Sequence, residues 1–323
     1  MRPFKIMERR NIKFKQGVSL KNFCSYRIGG KAEYFFEAEN IEDLIEAVKE
    51  ARKRRLPIFI LGGGTNLLVS DQGFPGLVIK IAINYLEKSK SSNSLLIKVG
   101  AGILMEDLIK YTIKHSLSGL EWAGGLPGTL GGAIRGNAGA FSGEIKNSVK
   151  EVVSLKIGAQ PEIIRRTKNQ CQFSYRSSVF KNNKEIVVGA VLCFQKGKRQ
   201  LIKKAVEEKI CYRALNHPLE YSNAGSIFKN IRLDEFSKTW HQKLLPVIKN
   251  EPLPVIPSAY LISECFLKGI SFGGAMISPK HSNFIVNVLD ARAEDVLKLI
   301  NLAKKEVRKK FGVILEEEIK YLP

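Results

Sequence analysis

The chain has 323 residues, 44% of them hydrophobic, which is enough for two or three domains with a substantial core. Lys and Arg number 52 against 31 Asp and Glu, and the net charge of +21 draws anions (nucleic acid, a membrane surface or phosphorylated small molecules) unless it simply reflects the proteome of the source. No apolar run reaches the roughly 18 residues of a membrane span, no CxxC or HExxH pattern offers a metal site, and five scattered cysteines read as reduced thiols of a cytoplasmic protein.

The N-terminal MRPFKIMERRNIKFK is basic with no apolar run behind it, so no signal peptide is read. From Asn40, a plausible N-cap, Ile41, Leu44, Ile45 and Val48 form one apolar face of a helix that closes at the cationic RKRR (52–55) and Pro57. IFIL (58–61) reads as a buried strand, and GLVIKI (76–81) and LLIKVG (95–100) as strands around a polar EKSKSSN turn. Residues 104–117 read as a helix stopped near Gly119, EVVSLKIG and EIVVGAVLCF as strands, and 200–214 as a helix. Residues 231–257, polar and then carrying Pro246, Pro252, Pro254 and Pro257, read as an inserted surface excursion. Helices follow at 258–267 and 291–311, stopped by Gly312, and the chain ends on the strand VILEEEIKYL. The mixture predicts an α+β protein without internal repeats, with boundaries near 80 and 215.

Two glycine-rich stretches stand apart. EWAGGLPGTLGGAIRGNAGA (121–140) holds seven glycines in twenty positions. Glycine inside a helix or strand costs about 0.5–1 kcal/mol relative to alanine, so such density implies a close backbone approach. ILGGGTNLLVS follows a strand, but the dinucleotide fingerprint fails: Gly62 and Gly64 fit, Leu67 does not, and no helical pattern follows. The Gly-Lys-Ser/Thr of a P-loop and the G-x-S-x-G of a nucleophile elbow are also missing. Two tight inter-strand turns would explain the glycines; so would two rows of backbone N–H groups that grip one diphosphate.

Seven blocks then carry a resemblance: YRIGGKAEYFFEA (26–38), LGGGTNLLVSDQGFPGLVI (61–79), GLPGTLGGAIRGNAGA (125–140), YRSSVFK (175–181), NAGSIFKN (223–230), GGAMISPKHSNFIVN (273–287) and LEEEI (315–319). In this order they resemble the UDP-N-acetylenolpyruvoylglucosamine reductase (UDP-N-acetylmuramate dehydrogenase) family, flavoenzymes of bacterial cell-wall synthesis. The resemblance implies an α+β fold with a two-part FAD-binding region of the vanillyl-alcohol-oxidase type and a C-terminal α+β substrate domain. Residues 1–80 would form the first FAD subdomain, with the strand at about 313–323 returning to it. Residues 81–214 would form the second, and 215–312 the substrate domain with its insertion at 231–257.

The same resemblance implies that Gly62, Gly63, Gly64, Thr65, Asn66 and Leu67 face Gly125, Pro127, Gly128, Thr129, Gly132, Ala133, Asn137, Ala138 and Gly139 across FAD. Thr65, Asn66, Thr129 and Asn137 would add side-chain hydrogen bonds; relatives usually carry Ser where this chain has Thr65. NADPH would pass a hydride to FAD, and reduced FAD would deliver it to the enolpyruvyl methylene of the substrate. Ser226, on its own most simply a turn or cap residue, becomes the proton donor. Arg176, otherwise a surface ion-pair residue, becomes the clamp on developing negative charge. Strand parity does not single out Glu318, but the motif Leu-Glu-x-Glu does, and it would polarise the carboxylate end of the intermediate. Tyr175, Lys229, Asn230 and His281 fall at substrate-contact positions.

Three features depart from the pattern. Ile231 stands where Pro is usual, and Arg135 where an apolar residue is common. The tyrosine-bearing loop that some relatives fold over the substrate is missing, which points to the shorter second subtype. The expected partners are the UDP-sugar enolpyruvyl ether and NADPH, with no nucleic acid, membrane or metal, on a monomer. The competing readings are another flavin oxidoreductase on the same FAD domains, and a basic nucleic-acid-binding module.

Overall fold

The computed structural model describes residues 12–88, 95–158, 160–250 and 254–323. The first unit is a four-stranded sheet in the order Lys15–Ser19, Lys31–Ala38, Phe74–Ile81, Ile58–Leu61. The first pair is antiparallel and the other two are parallel. Helix α1 (Ile41–Lys53) makes the crossover, and Asn40 caps it: its side-chain oxygen accepts the Asp43 N–H at 2.8 Å. Successive side chains of the central strands enter two different cores. Phe35 and Val78 face the core shared with the C-terminal part, while Leu77 and Ile79 join Leu44, Ala47 and Val48 of α1 in a second core. Burial on both faces is why these strands read as continuous apolar runs rather than alternating ones.

The second core is completed by an antiparallel sheet in the order Glu162–Thr167, Val149–Lys156, Glu185–Lys196, Leu95–Gly100, Leu86–Lys88. Most of the polar turn expected at 87–93 falls outside the described residues. Helix α2 (Met105–Lys114) buries Met105, Leu108 and Ile109. The glycine block is not all turn: Leu130–Gly136 forms a short helix, α3, which buries Leu130, Ala133 and Ile134 and ends on Asn137 at φ 42°. Three apolar residues on one side suffice to dock it. Helix α4 (Arg199–Asn216) leads to the third unit.

There, the order Ser222–Asn223, Ile285–Asn287, Ala275–Ile277, Ser271–Phe272 makes a small antiparallel sheet. Most described residues of the stretch 231–257 are exposed or half-buried, yet it is folded. Its strands Ile231–Arg232, Lys249–Asn250 and Pro254–Ile256 form a sheet beside helix α5 (Lys238–Leu244), and Phe236, Leu244, Val255 and Ile256 are buried. A few widely spaced apolar anchors, hidden among charges and prolines, were enough to fold it; Pro252 lies outside the described residues. Helix α6 (Ser258–Glu264) and helix α7 (Ala293–Phe311) pack against the same core. Asp71, from the first unit, accepts the Ala293 N–H at 2.9 Å and so caps α7 across the domain contact.

The C-terminal strand is shorter than the pattern suggests. Only Lys320–Leu322 pairs, in parallel, with Leu67–Val69. Residues 315–319 instead run beside residues 227–229 through an isolated bridge between Phe228 and Glu317. Glu318 N–H donates to the Ile227 carbonyl at 2.7 Å and Lys229 N–H to the Glu316 carbonyl at 2.9 Å. These contacts bring three sequence-distant blocks to one place.

Candidate active site

The two glycine turns meet face to face. A Cβ on Gly62 would lie 2.8 Å from Thr129 Oγ1, one on Gly63 2.8 Å from the Gly128 Cα, and one on Gly128 2.8 Å from Thr65 Oγ1. Alanine would force the turns apart. Thr129 Oγ1 is buried between them with no hydrogen-bond partner among the described residues. A polar atom stranded in this way costs about 1–3 kcal/mol until something meets it. Gly64 is buried, Gly125, Pro127 and Gly132 are exposed, and Ala133 is packed inward on α3. Asn66 ties the first turn to the C-terminal segment: its Nδ2 donates to the Glu318 carbonyl at 3.0 Å, and its own carbonyl accepts the Lys320 N–H at 3.0 Å. Leu67 begins the strand that pairs with Lys320.

Asn137 is fully buried, and its polar atoms are committed to the protein. Nδ2 donates to Glu144 Oε1 at 2.8 Å and to the Ser174 carbonyl at 2.9 Å, while Oδ1 accepts the Lys146 N–H at 3.3 Å. The carbonyl of Ala138 accepts the Ile145 N–H at 2.9 Å, and Gly139 pairs with Glu144 in a hairpin. This network fixes Ser174, and with it Tyr175 and Arg176. Arg176 has φ 52°, and its Nε lies 2.8 Å from Glu318 Oε1. Its guanidinium sits 5.1 Å from the Tyr175 ring centroid, and Tyr175 Oη accepts the Asn230 N–H at 3.4 Å. Burial raises the Tyr175 phenol above its usual range, against a smaller opposing effect of the Arg176 charge.

Ser226 precedes Ile227, the residue whose carbonyl holds Glu318. Its hydroxyl is half-buried and makes no hydrogen bond among the described residues. Buried Asn283 fixes the same loop, for its Oδ1 accepts the Phe228 N–H at 2.9 Å and its Nδ2 donates to the Phe228 carbonyl at 2.8 Å. Lys229 pairs with Glu316, and Asn230 Oδ1 accepts the Ser258 N–H at 3.2 Å. Thus the three consecutive glutamates do not act as one solvated edge: Glu316, Glu317 and Glu318 pair with Lys229, Lys304 and Arg176 respectively. His281 lies next to Ser282 and Asn283 in the chain, and its Nδ1 is buried without a partner among the described residues. Burial pushes both His281 and its ring neighbour His217, 5.5 Å away, down to about 4.

The local field is cationic. Lys181, displaced downward by burial and then by the charges of Lys229 and Arg135, also senses Glu318. Arg213 is displaced downward by burial and by Arg176. Among the described residues no group of three or more His, Cys, Asp or Glu could hold a metal ion, and no helix is long and apolar enough to cross a membrane.

Residues 32–158 match the family model of an FAD-binding domain, and 217–322 that of the UDP-N-acetylenolpyruvoylglucosamine reductase C-terminal domain. A UDP-N-acetylenolpyruvoylglucosamine reductase of Prochlorococcus marinus is 34% identical over 96% of this chain and 98% of its own, and one of Alkaliphilus oremlandii is 37% identical over 93% and 90%. The chain belongs to the UDP-N-acetylenolpyruvoylglucosamine reductase family. The crystal structure of the Thermus caldophilus reductase superposes with a TM-score of 0.73 at 30% identity, covering 96% of this chain and all of that one. Membership makes the chain an FAD-dependent oxidoreductase of α+β fold, with an FAD-binding domain and the C-terminal domain of the reductase family.

The residues present fit that cofactor. Facing backbones stripped of Cβ atoms and one stranded hydroxyl, Thr129 Oγ1, are what a flat dinucleotide needs for close approach and a hydrogen bond. Of the residues that a family reductase could use, sequence reasoning missed Arg213, Lys181 and Asn283. Lys181 and Asn283 lie inside quoted blocks, where the motif hid their contacts. Arg213 lies on a helix of ordinary charged composition, and only tertiary structure brings it to Gly124.

Proposed function

We propose that the chain reduces UDP-N-acetylenolpyruvoylglucosamine to UDP-N-acetylmuramate at the expense of NADPH, in the cytoplasm and as a monomer, supplying a peptidoglycan precursor. Residues 1–80 with the C-terminal strand and residues 81–214 hold the cofactor, and 215–312 cover the substrate. FAD, when bound, supplies the two-electron chemistry that links NADPH to the enolpyruvyl double bond. The balance is one hydride to the methylene carbon, one proton to the neighbouring carbon, and oxidation of NADPH to NADP+.

The observation that carries this reading is the convergence of Arg176, Glu318 and the Ser226 loop beside the first glycine turn: Glu318 pairs with Arg176, its N–H donates to the Ile227 carbonyl, and its own carbonyl accepts from Asn66. Ser226 gives its proton to the carbon that becomes anionic; a hydroxyl free of protein partners is available for that transfer. Arg176 faces the substrate carboxylate, and Glu318 holds the guanidinium fork in place. Tyr175, Asn230, Lys229 and His281 would contact the substrate; in support, Tyr175 lies against the Arg176 guanidinium and accepts the Asn230 N–H, and the Lys229 N–H donates to the Glu316 carbonyl. Lys181, Lys229 and Arg213 add positive charge for a diphosphate.

Anaerobic rapid mixing tests the assignment. With Ser226→Ala, reduction of bound FAD by NADPH proceeds at the wild-type rate, while reoxidation by the enolpyruvyl substrate slows about a thousandfold. Equal slowing of both half-reactions removes Ser226 from the proton transfer. Reoxidation of the wild-type flavin only by oxygen or another acceptor refutes the reductase reading itself.

A further inference from the structure

Phe266 is left-handed at φ 58° and 87% exposed. It closes helix α6 at the position where glycine is the usual residue, and its N–H donates to the Ser263 carbonyl at 2.9 Å. A phenylalanine there is strained and gains little packing in return, which points to a task for the ring outside the core. Ile270 and Phe272 follow in the same segment and are also exposed.

These side chains border the outer face of helix α7. Lys310 Nζ lies 5.6 Å from the Phe266 ring centroid, and Lys298 Nζ 4.9 Å from that of Phe272. From Lys298 to Lys310 the helix rises about 18 Å, so the rings flank most of its length. Ile314, 67% exposed, shares a shallow cleft with Lys305, Arg308 and Lys309, and Leu289, 77% exposed, donates its N–H to the Gly274 carbonyl beside the Phe272 strand. Lys298, Lys305 and Lys309 fall on one stripe of α7. Lys268, Lys305, Arg308 and Lys309 are exposed and have no ion-pair partner among the described residues. The neighbouring acids are engaged: Glu264 with Lys310, Glu294 with Lys298, Asp290 with Lys21, and Asp295 with the Gly274 and Arg292 N–H groups; Glu306 is half-buried. Cations near a helix C-terminus suit its dipole, but the dipole does not call for apolar side chains in water beside them.

We propose that this face docks on anionic phospholipid headgroups: Phe266, Ile270 and Phe272 dip between the headgroups, while Lys268, Lys305 and Lys309 meet their phosphates. Apolar side chains enter the acyl boundary, and long cationic chains beside them reach the charged surface. A nucleic acid would use the cations but leave Ile270, Leu289 and Ile314 in water. A surface contact needs no spanning helix, so it is compatible with the lack of one among the described residues. It departs from the sequence-based expectation of no membrane partner. It goes beyond the reductase reading and uses none of the residues assigned there.

The test sediments the FAD-loaded full chain at low salt with vesicles of equal parts phosphatidylglycerol and phosphatidylcholine, and with vesicles of phosphatidylcholine alone. The wild type binds the anionic vesicles at least about tenfold more tightly. Lys305→Gln/Lys309→Gln weakens that binding about thirtyfold, and Phe266→Gly about tenfold. Lys150→Gln/Lys168→Gln removes the same charge from exposed positions beside Cys193 on the antiparallel sheet and leaves binding within about twofold. Phe266→Gly relieves the strained position and melts no lower than wild type, and every variant turns over soluble substrate as wild type does. A wild type that ignores anionic vesicles overturns the proposal. Equal weakening by Lys150→Gln/Lys168→Gln, which would mean attraction to the net charge alone, or unchanged binding in Phe266→Gly, overturns it as well. So does binding of duplex DNA, lost in the Phe266 and Lys305/Lys309 variants, by a chain that ignores vesicles.

Discussion

Replacing Asn137 separates backbone strain from hydrogen bonding in the element that positions Arg176. Asn137 is left-handed at φ 42°, fully buried, and makes the three hydrogen bonds to Glu144, Ser174 and Lys146. Asn137→Ala deletes all three. Glu144 retains Lys146 Nζ at 2.5 Å and the Ser174 carbonyl retains the Ser177 N–H at 3.1 Å, so neither acceptor is stranded, and the Lys146 N–H, on a half-buried residue, loses only a long bond of 3.3 Å. The loss is therefore near the ordinary net value, about 1 kcal/mol per bond. The left-handed conformation adds about 1 kcal/mol for alanine and almost nothing for glycine. Asn137→Ala is expected to destabilise the FAD-free protein by about 4 kcal/mol and Asn137→Gly by about 3 kcal/mol. Urea denaturation followed by circular dichroism gives both numbers, provided the slope with denaturant is unchanged. Glycine costing more than alanine would contradict the strain argument. A cost below about 1 kcal/mol for alanine would mean that the hydrogen bonds contribute little.

Gly63→Ala is expected to purify folded but with at most about a tenth of the FAD of wild type, because the added methyl would sit 2.8 Å from the Gly128 Cα; full retention of flavin would show that the turns do not need their close approach. The histidine pair gives a pH dependence. Its ordinary value of 6.5 falls to about 4 in the fold, so the unfolded chain binds more protons between those pH values. Stability is then complete above about pH 6.5 and declines as pH falls towards 4, a slope that thermal melts of His217→Gln/His281→Gln should show flattened; an identical slope in the double variant would assign the acid response to other groups.

Local signals that the fold does not override were legible in the sequence. The cap at Asn40 and the apolar face of α1 needed no tertiary information, and Gly312 at φ 74° ends α7 as its position implies. The glycine blocks announced close backbone approach. Their docked helix α3 was hidden because Leu130, Ala133 and Ile134 are too few to show a period. The insertion was hidden because Phe236, Leu244 and Ile256 lie far apart among charges. At the site, motif resemblance drew attention to Arg176, Glu318 and Ser226, but not to how they are held. Asn283 clamping Phe228, Asn66 donating to Glu318, and Arg213 reaching Gly124 are contacts between residues 55, 252 and 89 positions apart, and no local pattern encodes them.

The claim beneath all of this is that two facing glycine turns, stripped of side chains and holding one stranded hydroxyl, exist to admit FAD. The visible absorbance spectrum of the freshly purified chain, with the cofactor extracted and counted, tests it most directly. The account predicts a yellow protein carrying about one FAD per chain, bleached by NADPH under anaerobic conditions and restored by the enolpyruvyl substrate. A colourless, well-folded protein that takes up no FAD when it is supplied would contradict it.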